Sequence, residues 1–255
     1  MGAYVVTGGG RGVGRAVVER LLRDGGHVVA VELDPAALEW TAGRPRAIAL
    51  VGDASNDAVA ERAADLAEDA GPLAGWVNNA ALFRDASVHT NSPREVLDLV
   101  ALNLAPALVG CSTAVRRFLT AGGGGAIVNV SSHQAQRAVP GCTPYVTAKA
   151  AIEGLTRALA VEYGPRGIRV NAVALGSIHT ERYDALLESL GPEAAARVED
   201  EMRRLHPLGR VGRTDEVAAA VTHLLSPESS YITGATVPVD GGRSVLAHDP
   251  EAYDT

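Results

Sequence analysis

Short aliphatic runs alternate along this chain with longer stretches in which apolar residues recur every three or four positions. The runs are Ala3 to Val6, His27 to Val31, Ala47 to Val51, Gly75 to Val77, Ala126 to Val130, Ile168 to Val173 and Thr236 to Val239. Several are apolar throughout, the pattern of strands buried on both sides. Alternation of such strands with helices predicts an α/β domain, a doubly wound seven-stranded parallel sheet with helices on both faces. Local signals bound the helices. The first ends at Gly25-Gly26, where a residue without a Cβ turns past the last helical turn. Another opens at Ser92-Pro93-Arg94-Glu95, with a serine cap, a proline in the first turn and a glutamate reaching back. Its far end meets Gly122 to Gly125, a run that enters a strand and so reads as a terminator, not a phosphate site.

Composition narrows the picture. With 255 residues, 47% hydrophobic content and 4% aromatics, the chain predicts one domain over 1–255 with an aliphatic core. The net charge of −7 and the lack of a basic run argue against a nucleic-acid partner. No uninterrupted apolar segment approaches about 18 residues, so no membrane span is expected. The start lacks the pattern of a signal peptide, which predicts a cytoplasmic protein. Cys111 and Cys142 read as free thiols, and His133 and His179 fit no metal-ligand spacing. The charged stretch from Thr180 to Leu205 reads as a solvated helix within a substrate lid at about 177–205. The tail at about 244–255 is expected to be loosely held or to rest on a neighbouring subunit.

The candidate chemistry begins directly after the first strand. Thr7-Gly8-Gly9-Gly10-Arg11-Gly12-Val13-Gly14 leads into a helical pattern, so backbone N–H groups and a positive helix end face an anion such as a pyrophosphate. The second strand ends at Glu32, an acid about 20 residues on that suits an adenosine ribose and repels the extra phosphate of NADP. NAD is therefore the expected cofactor. Arg11 is the counter-signal, because a guanidinium in that turn could hold the phosphate.

Only one of the 23 basic residues is a lysine, Lys149, four positions after Tyr145. On a helix that spacing stacks the ammonium beside the phenol. Thr143 is expected to cap this helix and Pro144 to open it, placing Tyr145 in the first turn, where the dipole favours a phenolate. Bringing a tyrosine from about 10 to about 7 takes roughly 4 kcal/mol. A unit charge at about 4 Å supplies on the order of that amount at an effective dielectric of about 20.

Taken together, the Thr-Gly-x-x-x-Gly-x-Gly turn, Asp53, Asn78-Asn79-Ala80, Ser132, Tyr145-x-x-x-Lys149 and the ending Gly234 to Gly242 resemble the short-chain dehydrogenase/reductase family, from about Ala3 to Gly242. The resemblance implies a Rossmann fold and hydride transfer between a nicotinamide and a secondary alcohol or ketone. It implies Asn103, Ser132, Tyr145 and Lys149 as the catalytic group, with Ser132 rather than Ser131 meeting the phenol and Asn103 joining a proton relay near Lys149. Asn78 would steady the central strand. Cofactor contacts would run from Thr7, Gly8, Gly10, Arg11, Gly12, Val13 and Gly14 past Glu32 and Leu33. Asp53, holding the adenine, Ala54, Asn79, Ala80 and Ala81 would follow, then Tyr145, Lys149, Gly176, Ile178 and Thr180. His133, Gln134, Cys142 and Ser177 are the candidate substrate neighbours.

Two departures from the family pattern stand out: Ala81 replaces a glycine after Asn-Asn-Ala, and Leu175-Gly176 replaces Pro-Gly. The expected activity is NAD(H)-dependent interconversion of a secondary alcohol and a ketone, with Tyr145 as general acid and base. The alternatives are a 3-oxoacyl-thioester reductase using NADPH and a non-catalytic NAD sensor. Small residues on the two long helices, Ala105, Ala107, Ala150 and Ala158, predict assembly as a homotetramer or homodimer.

Overall fold

A computed structural model describes residues 2–247 of the chain. The expected tail therefore lies largely outside the described residues. In chain order the elements are β1 (Ala3–Thr7), α1 (Gly12–Arg23), β2 (His27–Glu32), β3 (Ala47–Val51), α2 (Asp57–Ala70), β4 (Leu73–Asn78), α3 (Pro93–Ala121), β5 (Gly125–Ser132) and α4 (Thr143–Tyr163). They continue with β6 (Ile168–Leu175), β7 (Ile178–His179), α5 (Glu181–Ser189), α6 (Pro192–Leu205), β8 (Gly212–Arg213), α7 (Thr214–Leu225) and β9 (Thr236–Val239). The main sheet has seven strands in the order β3-β2-β1-β4-β5-β6-β9, all parallel. This is the doubly wound α/β fold expected from the alternating pattern. β7 and β8 form a separate two-stranded ribbon.

Each face of the sheet has its own core. Val17, Val18, Leu21 and Leu22 of α1 and Val217, Val221 and Leu224 of α7 pack over Val6, Val28, Val128 and Val173. On the other face, Ala60, Ala63 and Ala64 of α2 and Ala114 and Phe118 of α3 cover Val5, Val29, Ile127 and Val170, and Ala160 of α4 joins them. The alanines of α2 leave little side chain between helix and sheet, consistent with an aliphatic core built with few aromatics. Arg117 of α3 forms ion pairs with Glu61, Asp65 and Glu68 on one side of α2, at 2.6, 2.7 and 2.8 Å.

α3 begins with the capping box expected for it. The Glu95 amide donates to the Ser92 hydroxyl at 3.3 Å, and the Ser92 amide donates to the Glu95 carboxylate at 2.7 Å. It ends at Gly122, whose φ of 68° is left-handed. By length and composition α3 is apolar enough to cross a membrane. One side of it, with Cys111, Ala114, Val115 and Phe118, packs against the sheet as part of the core. A correction concerns α4. Thr143 is its first helical residue, not its cap; Cys142 takes the cap position without a side-chain bond. The Thr143 carbonyl is already inside the helix and accepts the Thr147 hydroxyl at 2.8 Å.

The sequence of strands in the sheet reverses between β1 and β4. In open parallel sheets the crevice beyond the carboxyl ends of such a pair is where ligands bind. Thr7 and Asn78 end these two strands side by side.

Candidate active site

Beyond β1 the chain turns through Gly8, Gly9, Gly10 and Arg11 and enters α1 at Gly12. Gly12 has a left-handed φ of +50°, which L side chains rarely adopt. A Cβ on Gly14 would lie 1.9 Å from the Gly8 carbonyl oxygen, so any side chain there would force the turn open. The turn is also held from β4. The Thr7 hydroxyl accepts the amides of Asn79 and Ala80 at 3.1 and 3.2 Å. The Asn79 side-chain amide donates to the carbonyls of Thr7 and Gly8 at 3.2 and 3.0 Å. Asn79 thus fixes the loop rather than standing free in the crevice.

α1 has no acidic residue in its first turn, and Arg11 gives it no side-chain cap. Its N-terminal amides are therefore open to an anion. The Gly12 amide makes a long 3.4 Å bond to a carboxylate oxygen of Glu181, at the start of α5. The turn thus accepts an anionic oxygen from the protein itself, and its amides suit a dinucleotide pyrophosphate. A cleft of about 420 Å³ opens beside it, lined among others by Gly12, Arg15, His179 and Thr180.

Glu32 ends β2 with its carboxylate over this turn, accepting the Gly10 amide at 3.3 Å and the Leu33 amide at 2.8 Å. Arg11 is ion-paired with Asp34, both side chains partly exposed. Asp53 lies exposed beyond β3, and its carboxylate accepts the amide and hydroxyl of Ser55 at 2.8 and 2.7 Å. By geometry alone it is a turn-forming residue, and Ala54 sits within that turn.

Ser132 closes β5, and the pleat separates it from Ser131 as expected. The Ser131 hydroxyl donates to the buried Glu153 carboxylate at 3.0 Å. Ser132 instead faces the Tyr145 phenol closely enough to favour its ionised form, and accepts the Gln134 amide at 3.2 Å. Tyr145 stands in the first turn of α4. One turn further, the Lys149 ammonium lies 5.4 Å from the Tyr145 ring centroid. The chain's only lysine is 2% exposed, and its one protein partner among the described residues is the Val130 carbonyl, at 2.8 Å. Ser132, Tyr145 and Lys149 are thereby brought together at the carboxyl edge of the sheet.

The electrostatics differ from those expected of the bare pair. Burial pushes the Tyr145 phenol up to about 12, outweighing the Ser132 hydroxyl and the Arg182 charge that favour the phenolate. Burial also brings Lys149 down to about 8. Both charged forms lose hydration, and at this separation the gain between them does not repay it. Among the protein's own groups, Tyr145 is thus a proton donor at neutral pH.

Asn103 is not drawn into contact with Lys149. Its side chain accepts the Leu82 amide at 2.9 Å and donates to the Leu99 carbonyl at 3.3 Å, tying α3 to the loop after β4. Asn78 is buried in a network with Trp76, Cys111 and Asn129, at 3.0, 3.3 and 2.8 Å, and so steadies the central strands. Ala81 is exposed in the loop beyond Ala80.

Near the outer end of the crevice, a ring nitrogen of the buried His133 donates to the Leu175 carbonyl at 3.0 Å. Gln134 directs its amide oxygen into the interior with no partner among the described residues. The Ser177 hydroxyl accepts a guanidinium hydrogen of Arg243 at 2.5 Å, turning it toward the segment after β9. The Cys142 thiol is 3.8 Å from the Asp85 carboxylate, and burial together with that negative charge raises its pKa. Gly176 follows β6, Ile178 lies in the β7–β8 ribbon, and Thr180 precedes α5. The charged stretch is two helices, α5 and α6, parted at Leu190-Gly191, and neither buries a residue.

Sequence reasoning missed Phe83 and Arg182. Phe83 stacks on the Tyr145 ring with centroids 4.5 Å apart, and the Arg182 guanidinium lies 3.8 Å from the Phe83 centroid. The one usable signal was rarity, for Phe83 is one of two phenylalanines in the chain. It follows shortly after Asn78-Asn79.

Comparison with known proteins agrees with this geometry. A family model described as enoyl-(acyl carrier protein) reductase matches residues 8–244. The chain is 40% identical to the short-chain reductase protein NovJ of Streptomyces niveus, over 94% of this chain and 92% of that protein. It is 36% identical to the 3-oxoacyl-[acyl-carrier-protein] reductase FabG of Chlamydia trachomatis, over 93% and 95% of the two chains. The structure of Thermoplasma acidophilum aldohexose dehydrogenase superposes with a TM-score of 0.87 at 29% identity, covering 100% of this chain and 97% of that one. The chain belongs to the short-chain dehydrogenase/reductase family and is an oxidoreductase acting on CH–OH groups, dependent on NAD(P).

Proposed function

We propose that the protein interconverts a secondary alcohol and a ketone with NAD(H), Tyr145 exchanging the proton. The observation that carries this reading is the buried cluster of Ser132, Tyr145 and Lys149 beside a glycine turn fitted to a dinucleotide. When bound, the nicotinamide supplies or takes the hydride. The Ser132 hydroxyl donates to the substrate oxygen, a bond that strengthens as negative charge develops there. Tyr145 delivers its proton to that oxygen in reduction and removes it in oxidation. Lys149 supports the phenolate form, and its fixed bond to Val130 holds the ammonium in place. NADH oxidation across a panel of ketones tests the reading; no turnover with any of them, with NADH or NADPH, would refute it.

The preference for NAD rests on two carboxylates. Glu32 is positioned for ribose hydroxyls, and Asp34 engages the guanidinium of Arg11 that a 2′-phosphate would need. Glu32→Ser is expected to lower the NAD over NADP preference by about tenfold to a hundredfold, the range for hydrogen bonds to a charged group. Measured kcat/KM with each cofactor checks this. Reduction of 3-oxoacyl thioesters with NADPH is the second reading, supported by the likeness to the Chlamydia protein. It requires Arg11 to leave Asp34. A non-catalytic NAD sensor is disfavoured because the hydroxyl groups and the ammonium are all retained.

Assembly belongs to the same proposal. Leu97, Leu102 and Leu108 of α3 are 64%, 44% and 50% exposed, and Val161 of α4 is 81% exposed. Ala150 and Ala158 lie on the surface, whereas Ala107 is buried within the chain and so corrects the expectation that it serves helix approach between subunits. Exposed apolar faces on two adjacent long helices suit a homotetramer or homodimer. Size-exclusion chromatography with light scattering should show one of these, and a monomer would contradict it.

A further inference from the structure

The loop between β4 and α3 leaves Phe83 46% exposed at the mouth of the crevice. Its ring nevertheless has two close neighbours, the Tyr145 ring at 4.5 Å with an interplanar angle of 30°, and the Arg182 guanidinium at 3.8 Å from its centroid. Tyr145 of α4 and Arg182 of α5 are thus both seated against one loop ring. Arg182 is exposed and has no carboxylate partner or hydrogen bond among the described residues, so the aromatic face is what seats it.

We propose that Arg182 is a positioning residue: docked on Phe83, it closes α5 over the crevice, clamps the Tyr145 ring and brings a second positive charge to the phenol. The inference rests on Tyr145 being the proton-exchanging group. The charges around that phenol come from several elements. Lys149 of α4 and Arg182 of α5 favour the phenolate, as does Ser132 of β5. The Cys142 thiol, with the Asp85 carboxylate beside it, opposes ionisation. Removing Arg182 leaves Lys149 as the protein cation beside the phenol among the described residues and frees α5 from the loop.

The test compares wild type with Arg182→Met, which keeps a linear side chain over the ring, and Arg182→Lys, which restores the charge. The protein is labelled with ¹³Cζ-tyrosine and saturated with NAD. The Tyr145 resonance is assigned by its loss in Tyr145→Phe and followed from about pH 6 to 10.5, the range toward which the positive charge of bound oxidised nicotinamide would draw the phenol down from about 12. Arg182→Met is expected to raise the phenol's titration midpoint by about half a unit to one unit, the order of effect of one nearby charge in a partly wet site. Arg182→Lys should recover at least part of the shift. The pH profile of alcohol oxidation should move the same way, and in a Phe83→Leu background the effect of Arg182→Met should shrink. Far-UV circular dichroism confirms folding of each variant. An unmoved midpoint in Arg182→Met, or an equal shift with and without Phe83, would overturn the proposal. Absence of wild-type turnover would instead strike the alcohol–ketone reading, because the resonance reports Arg182 without turnover.

Discussion

Tyr145→Phe is expected to cut turnover by about 10³-fold while leaving dinucleotide affinity near the wild-type value. A positioned general acid and base contributes about 10² to 10⁴ in rate, and the substitution removes the exchangeable proton while retaining the ring. The cofactor contacts inferred at the glycine turn and Glu32 lie on other elements and stay in place. The substitution also removes the phenol that faces Ser132, but Phe fits the same space, so folding should be little affected. Steady-state kinetics with isothermal titration of the cofactor checks both halves. Turnover comparable to wild type would remove Tyr145 from the chemistry. Equal loss of activity and of cofactor binding would assign it to binding instead.

Lys149→Met should separate activity from stability. The ammonium is buried with a single carbonyl partner, and burial lowers it to about 8 from a usual 10.5. That depression corresponds to a cost on the order of 3 kcal/mol for holding the charge in the folded chain. At pH 7 both folded and unfolded chains carry the charge, so the cost is present in full. Between about 8 and 10.5 the unfolded chain holds the proton and the folded chain does not, so this group's contribution makes stability rise with pH. Above that window the cost is gone. Methionine fills similar volume without the charge, and such replacements are often neutral or stabilising. Lys149→Met should therefore raise Tm by several degrees at pH 7, with a smaller gain near pH 10, and lower turnover by at least about a hundredfold. Differential scanning calorimetry at the two pH values and kinetics at neutral pH give the comparison. A destabilised variant would mean that the ammonium's bond to Val130 outweighs its desolvation. Full activity would remove Lys149 from the reaction.

Lys149 also illustrates what is readable in the residues alone. Its uniqueness among 23 basic residues marks it, and four-residue spacing puts it beside Tyr145 on α4. The raised Tyr145 phenol, against the expected lowering, and the lowered Lys149 ammonium cannot be read that way. Spacing along a helix says which groups are neighbours, but desolvation depends on everything packed around them, including strands far away in the chain. Asn103 shows the same limit. Its place on α3 is legible, but its partners are the Leu82 amide and its own helix, not Lys149. Thr143 reads as a cap because a Thr-Pro pair has the right chemistry there. The helix in fact starts one residue earlier than that pair suggests.

The contact between Phe83 and Arg182 is invisible in the sequence for a related reason. They are 99 positions apart, and no periodicity links the loop after β4 to α5. Glu32, in contrast, announces itself through its distance from the glycine turn, because one βαβ unit connects the two and local geometry suffices.

The sequence by itself determined the alternating strands and helices, the glycine turn, the capping box of α3 and the pairing of Tyr145 with Lys149, since each depends on neighbours within a few turns of chain. Tertiary structure alone decided which charges are desolvated, that Arg11 is engaged by Asp34, and that Phe83 and Arg182 meet beside the phenol. Those outcomes arise where separate elements meet at the carboxyl edge of the sheet, and free energies of burial and charge there are properties of the packed assembly.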